Sequence, residues 1–166
     1  MSGVQSVVEP ADLQRDGPDI LVINNAAVPA VNLLDLPRLE ALVAMGWLDV
    51  VRRDDVVAGF ALTMPAGRPY DSLNYRWFDA RFDSFLYVDR VVVAEAARGT
   101  GVGRLLYEAA IERARALSFP RVLSEVNVDP PNPQSMAFHA RLGFGAVEER
   151  LNEAEGKTVA MMVRPL

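Results

Sequence analysis

The chain has 166 residues, 51% of them hydrophobic and 23% charged, with no cysteine, one histidine and a net charge of −5 from 17 basic and 22 acidic side chains. That length and balance predict one folded domain over 1–166 with a real core, and exclude a disordered or fibrous chain. Without cysteine there is no disulfide scaffold, thiolate nucleophile or cysteine-held metal, the single His139 excludes a His-rich metal site, and the negative balance argues against a broad grip on nucleic acid or an anionic membrane.

Met1–Gln5 lacks a basic segment leading into an apolar core, and no apolar run approaches the roughly 20 residues needed to span a bilayer, so a cytoplasmic protein is expected. Ile20–Asn24 reads as a buried strand, followed by an irregular stretch to Leu34. Asp35 is a natural cap for a helix starting near Pro37 and ending at Gly46, with Leu39, Leu42 and Val43 on one face. Trp47–Arg52 and Val56–Met64 read as two strands of a hairpin joined by Arg53-Asp54-Asp55. Pro65–Asp83 has no clean period; its Tyr70, Tyr75, Trp77, Phe78 and Phe82 suit either a lid over a site or a loop held to the core by its rings.

Phe85–Ala94 predicts a strand whose second half, Val91-Val92-Val93-Ala94, is apolar on both faces and therefore central in the sheet. A glycine loop leads into an amphipathic helix over Val102–Leu117. Arg121–Val128 reads as a strand. Asn132 and Pro133 open a short helix that ends at Gly143. Two terminal strands, Ala146–Leu151 and Thr158–Val163, are joined at Gly156.

The strongest chemical signal is Arg98-Gly99-Thr100-Gly101-Val102-Gly103, set between an apolar strand and a helix start. Glycines let a ligand approach the backbone, and free amides at a helix start carry the positive end of the dipole, so the pattern suits a phosphate group. A nucleotide-triphosphatase loop needs lysine and Ser/Thr after its last glycine, where this chain has Arg104 and Leu105. The dinucleotide fingerprint needs a glycine or alanine three residues after its second glycine, where this chain has Arg104 or Leu106 depending on the register. Glu125 stands about where a ribose-binding acid would, which keeps an NAD-binding oxidoreductase as a minor alternative.

The remaining reading, Arg-x-x-Gly-x-Gly, resembles the pyrophosphate loop of the GNAT family of acetyl-CoA-dependent N-acetyltransferases. A second stretch, Asn132-Pro133-Gln134-Ser135-Met136-Ala137-Phe138-His139-Ala140-Arg141-Leu142-Gly143-Phe144, is similar to the helix that follows one strand later in that family. The resemblance covers about residues 85–145. Tyr70–Phe78 and Glu125–Pro133 are also similar to a bacterial branch of predicted GNAT enzymes. The resemblance implies an α/β fold with a mixed, mostly antiparallel sheet of six or seven strands flanked by helices.

It implies acetyl transfer from acetyl-CoA to an amine by direct attack through a tetrahedral intermediate, with no covalent enzyme intermediate and no metal. Backbone groups of Val91, Val92 and Val93 would face the pantetheine arm and acetyl carbonyl, although their side chains also read as core. The amides of Gly99, Thr100, Gly101, Val102, Gly103 and Arg104, with the Arg98 side chain, would hold the pyrophosphate. Asn132 would touch coenzyme A besides capping its helix.

Glu125 corresponds to a general base of some relatives that acetylate protein N-termini; a structural salt bridge is its bland alternative, and Asp89 is the other candidate base. His139 stands where many relatives have a tyrosine that protonates the departing thiolate; packing beside the cofactor is its alternative. Asn25 with its neighbour Asn24, and Tyr70, Tyr75, Trp77 and Tyr87, are candidates for the acceptor pocket. The acceptor is expected to be a small-molecule amine or a protein N-terminus, with neither nucleic acid nor membrane as partner and with a homodimer left open. A non-catalytic acyl-CoA-binding module is the principal alternative.

Overall fold

The computed structural model describes residues 6–166; Met1–Gln5, read above for a targeting signal, lie outside the described residues. Its elements run β1 (Val7–Pro10), α1 (Leu13–Ala26), α2 (Leu36–Ala44), β2 (Trp47–Arg53), β3 (Val56–Pro65), α3 (Leu73–Asp79), β4 (Leu86–Val93), a 3₁₀ turn (Glu95–Ala97), α4 (Val102–Ala116), β5 (Arg121–Asp129), α5 (Pro133–Arg141), β6 (Gly145–Asn152) and β7 (Lys157–Pro165). Seven strands form one sheet in the order β1-β2-β3-β4-β5-β7-β6, with β4 central as its two apolar faces predict. β4 pairs parallel with β5, while β1–β2, β2–β3, β5–β7 and β6–β7 are antiparallel. This is the mixed, mostly antiparallel sheet expected, at seven strands. No helix among the described residues is long and apolar enough to cross a membrane.

The region read as a strand at Ile20–Asn24 is instead the last part of α1. Asp12 starts that helix by accepting from Arg15 N at 3.0 Å, and the burial that follows has helical spacing. Ile20 and Asn24 are buried, whereas Val22 between them is 71% exposed, the reverse of what an alternating strand requires. The β-branched Ile20, Val22 and Ile23 favour a strand locally and Pro18 disfavours a helix interior; packing of one helix face overrides both propensities. A second departure lies in Pro65–Asp83, where Ser72 accepts from Tyr75 N at 3.3 Å and caps the two-turn α3. A third is β1, four residues paired to β2 from Val7↔Arg52 to Pro10↔Asp49.

The other predicted elements form close to where they are expected. Asp35 caps α2 by accepting from Arg38 N at 2.9 Å. The β2–β3 hairpin turns on Asp54 and Asp55, both at positive φ (51° and 60°), the geometry of the primed turn that matches strand twist. Gly46, between α2 and β2, is required by proximity. A Cβ there would lie 1.9 Å from Thr63 O and 2.8 Å from Met64 Cα.

Contacts group the chain into two compact units. One holds the chain up to Met64 together with Val88–Glu112. Val51, Ala58, Ala61, Val102 and Leu106 form a core cluster there, with Val91, Val93 and Leu105 packed against it. The same unit contains a charge pair in which partly buried Arg52 donates from both Nη atoms to the two oxygens of buried Asp16 at 2.6 Å each, and Asp16 also accepts from Asp12 N at 2.9 Å. The guanidinium of Arg52 holds the Asp16 carboxyl at about 2, below the usual carboxylate range, against the opposing effect of burial.

The other unit holds Pro65–Tyr87 and Arg113–Leu166. Its β7 lies between β5 and β6, and its aromatic cluster brings α3 onto β4: Tyr75 and Phe78 have ring centroids 5.3 and 5.9 Å from Tyr87. Tyr75, Phe78, Phe85 and Tyr87 are fully buried, so the aromatics of this unpatterned stretch close a core.

Candidate active site

The glycine loop takes the shape its composition demands. Arg98 is extended, Gly99 and Gly101 have φ of +74° and +88°, and α4 begins at Val102. A Cβ on either glycine would meet nothing within 4 Å, so the front of the loop is open. Leu105 N bonds back to Gly101 O at 3.1 Å, and the amides before it in the first turn have no intrahelical acceptor. Arg98 is exposed and, among the described residues, no carboxylate holds its guanidinium. The Arg104 side chain runs along the helix to Glu108 Oε1 at 2.8 Å.

Thr100 is tied on two sides. Its hydroxyl donates to Ala97 O, and Arg53 donates from Nη1 to Thr100 Oγ1 at 2.5 Å and from Nη2 to Thr100 O at 3.0 Å. Arg53 carries no sequence signal of this role, because 47 positions separate it from Thr100 and the hairpin turn explains its local pattern. Val92 is buried and Val91 and Val93 pack on the α4 cluster, so their side chains are core as well. Asn132 caps α5 by accepting from Ser135 N at 3.1 Å, with its side chain at an exposed position.

In the other unit, Tyr87 on β4 and Glu125 on β5 meet. The Tyr87 hydroxyl, on a fully buried side chain, lies 2.8 Å from both Glu125 oxygens and donates to that carboxylate, which is half-buried. Their strands run parallel with Tyr87 opposite Leu123, two residues before Glu125 and on its face.

His139 lies on the opposite face of β5. Ser124 precedes Glu125, so its side chain points the other way, and Ser124 Oγ stands 3.4 Å from His139 Nε2. The ring is 4% exposed and edge-on to Phe144, centroids 5.3 Å apart. Nδ1 is 2.9 Å from Ser135 O, and since a carbonyl only accepts, Nδ1 carries the proton and Nε2 is the acceptor. Burial pushes the imidazole pKa below its ordinary 6.5, outweighing the support from Ser135 O. A ring held this way is neutral at pH 7.

The remaining candidates are placed as follows. Asp89 accepts from Arg90 Nε at 2.8 Å, with both side chains more than nine-tenths buried. Asn25 donates from Nδ2 to Leu34 O and accepts from Leu34 N, both at 2.9 Å, and buried Asn24 donates to Asn32 O and accepts from Arg90 Nη1. Tyr75 donates to Pro65 O at 2.6 Å and accepts from Arg68 N at 3.0 Å, and burial raises the pKa of its hydroxyl. Buried Tyr70 has its ring 5.5 Å from that of Tyr75. Half-buried Trp77 has the Arg81 guanidinium 3.8 Å above its ring. Tyr70, Tyr75, Tyr87 and Glu125 therefore share one cluster with α3.

Residues 27–144 match the model of the acetyltransferase (GNAT) family. The chain belongs to that family. As a GNAT acetyltransferase it uses acetyl-CoA as donor, and a glycine loop that is open at its front, with Gly99 and Gly101 at positive φ, has the shape to fit a pyrophosphate. No curated protein matches the chain.

Among solved structures, this GNAT chain is similar to the ribosomal-protein-alanine N-acetyltransferase of Brucella melitensis (24% identity over 96% of this chain and 99% of that one, TM-score 0.74). It is similar to the ribosomal-protein-S18-alanine N-acetyltransferase of Escherichia coli (16% identity, 97% and 94%, TM-score 0.74). Another similar structure is yncA of Salmonella typhimurium with its cofactor acetyl-CoA (22% identity, 98% and 94%, TM-score 0.73). At these identities the likeness is one of fold.

Proposed function

We propose that the chain acts as one catalytic domain that transfers acetyl from acetyl-CoA directly to an amine, with Glu125 as the base. The observation that carries this reading is the half-buried Glu125 carboxylate, oriented through both oxygens by Tyr87, in a chain of the GNAT family. Bound acetyl-CoA supplies an activated thioester; this chain must hold its pyrophosphate and take a proton from the attacking amine. Glu125 is preferred to Asp89 because the Asp89 carboxylate is already engaged by the neighbouring Arg90 guanidinium, with both side chains more than nine-tenths buried. His139 serves as a neutral ring that joins α5 to β5 through Ser135 and Ser124 and does not deliver a proton at neutral pH.

The acceptor is a small-molecule amine or a protein N-terminus. The alanine N-acetyltransferases among the similar structures make peptides with N-terminal alanine the first to try. The test is release of free coenzyme A thiol over a panel of such peptides, amino acids and polyamines. Glu125→Gln is expected to lower turnover by about 10²-fold or more at pH 7 while acetyl-CoA affinity stays within about twofold. Retained activity in Glu125→Gln with loss in Asp89→Asn would assign the base to Asp89. Acetyl-CoA binding without turnover of any acceptor would favour an acyl-CoA-binding module.

A further inference from the structure

The loop that fits the pyrophosphate contains two glycines in the left-handed region with nothing packed in front of them. Such a segment has little to hold its shape, and the peptide preceding a glycine turns over easily because no Cβ opposes it. The useful donor is the Gly101 N–H. Its direction is not independent, for a peptide unit is planar and trans, so the N–H of Gly101 points opposite to the carbonyl of Thr100. Whatever holds that carbonyl sets the amide.

We infer that Arg53 is a positioning residue for acetyl-CoA binding: by holding the Thr100 carbonyl it fixes the Thr100–Gly101 peptide and so the direction of the Gly101 N–H. The grip is two-pronged, with Nη2 on Thr100 O at 3.0 Å and Nη1 on Thr100 Oγ1 at 2.5 Å. A planar guanidinium satisfying two acceptors on one residue resists rotation in a way a single bond does not. The arginine is itself anchored, since its Nε donates to Ser6 Oγ at 2.6 Å and its backbone ends β2, paired to Val56 on β3. Thr100 completes the brace by donating its own hydroxyl to Ala97 O. A sheet strand thus supports the loop from behind while its front stays open. Arg53 acts through Thr100; it is distinct from Arg98, whose exposed guanidinium stands in the loop itself.

The inference rests on the reading of this loop as the pyrophosphate site. Its test uses the full chain, with coenzyme A affinity by calorimetry and the Gly101 amide resonance of the ligand-free protein by NMR. Arg53→Ala is expected to shift or broaden the Gly101 amide and to raise the Kd for coenzyme A and acetyl-CoA by the same factor, at least about tenfold, with the kinetic loss falling on KM for acetyl-CoA. Arg53→Lys should recover part of the affinity, because an ammonium reaches one of the two acceptors. Thr100→Val, which keeps the carbonyl bond, should lose less than Arg53→Ala. If alanine prevents folding, Arg53→Gln provides the same comparison.

A Gly101 amide unmoved in Arg53→Ala overturns the inference, whether affinity holds or falls; a fall would then mean that Arg53 touches a phosphate itself. Affinity within about twofold of wild type also overturns it. Failure of the wild-type chain to bind coenzyme A would instead overturn the reading of the loop, and the ligand-free resonance would still report whether Arg53 holds the peptide.

Discussion

At the scale of single residues, one hydrogen bond sets which nitrogen of His139 carries its proton. A ring whose Nδ1–H is given to Ser135 O offers a lone pair at Nε2, and burial keeps it from gaining a second proton. Its NMR titration should therefore have a midpoint below 6.5. The sign for stability follows: the unfolded chain protonates this histidine at about 6.5 and the folded chain only lower, so the native state loses stability as pH falls through 6.5 toward the folded value. His139→Phe is expected to change turnover at pH 7 by less than about threefold, whereas a loss beyond about tenfold with a missing inflection in the pH profile would reinstate it as a proton donor. Gly101 offers a second test. A Cβ there meets nothing, so Gly101→Val should remain folded apart from local strain at φ +88°, but its branched side chain would fill the open front. Unchanged acetyl-CoA affinity in the folded variant would contradict the assignment of this loop.

At the scale of elements, the Asp16–Arg52 pair joins α1 to β2 and its strength can be read from pH. Because the Asp16 pKa is lowered to about 2 from 3.8, its contribution is fully present above 3.8 and is lost as pH falls toward 2; it amounts to about 2 kcal/mol. Asp16→Asn should flatten the acid limb of the stability curve and cost about 2 kcal/mol near pH 7, since the Arg52 guanidinium loses its two bonds to Asp16 and keeps the one to Glu9. Gly46→Ala is expected to cost at least about 3 kcal/mol in urea unfolding, because a Cβ would overlap the β3 backbone.

Most of the elements were legible in the sequence because cap, period and glycine agreed, as they do for α2 with Asp35 and for the loop before α4. α1 was not, because Ile20 to Ile23 favour a strand locally while burial of one helix face, seen only in three dimensions, decides otherwise. The Tyr87–Glu125 contact was legible only as two separate candidates. Arg53 on Thr100 was invisible, since side-chain contacts between remote elements leave no trace in one sequence.

At the scale of the whole molecule, a ligand bound only by the native state should raise the melting temperature. Acetyl-CoA at about 100 times its Kd adds about 2.7 kcal/mol, which for a chain of this length is a shift of about 5–10 °C. NAD should give none. A larger shift with NAD than with acetyl-CoA would contradict the reading of the glycine loop.

The position of β7 has a consequence for how the chain reaches this state. Made after every other strand described here, it lies between β5 and β6, pairing with the first from Arg121↔Pro165 to Asp129↔Thr158 and with the second from Gly145↔Val163 to Asn152↔Lys157. Until a ribosome has released Lys157–Pro165, β5 presents an open edge on its β7 side and β6 lacks the strand it pairs with. Nascent chains are exposed to misassociation through such edges, and a chain that stops before Lys157 lacks two strand pairings at once. Quality control in the cell would then see a chain with every other strand in place as an unfinished one.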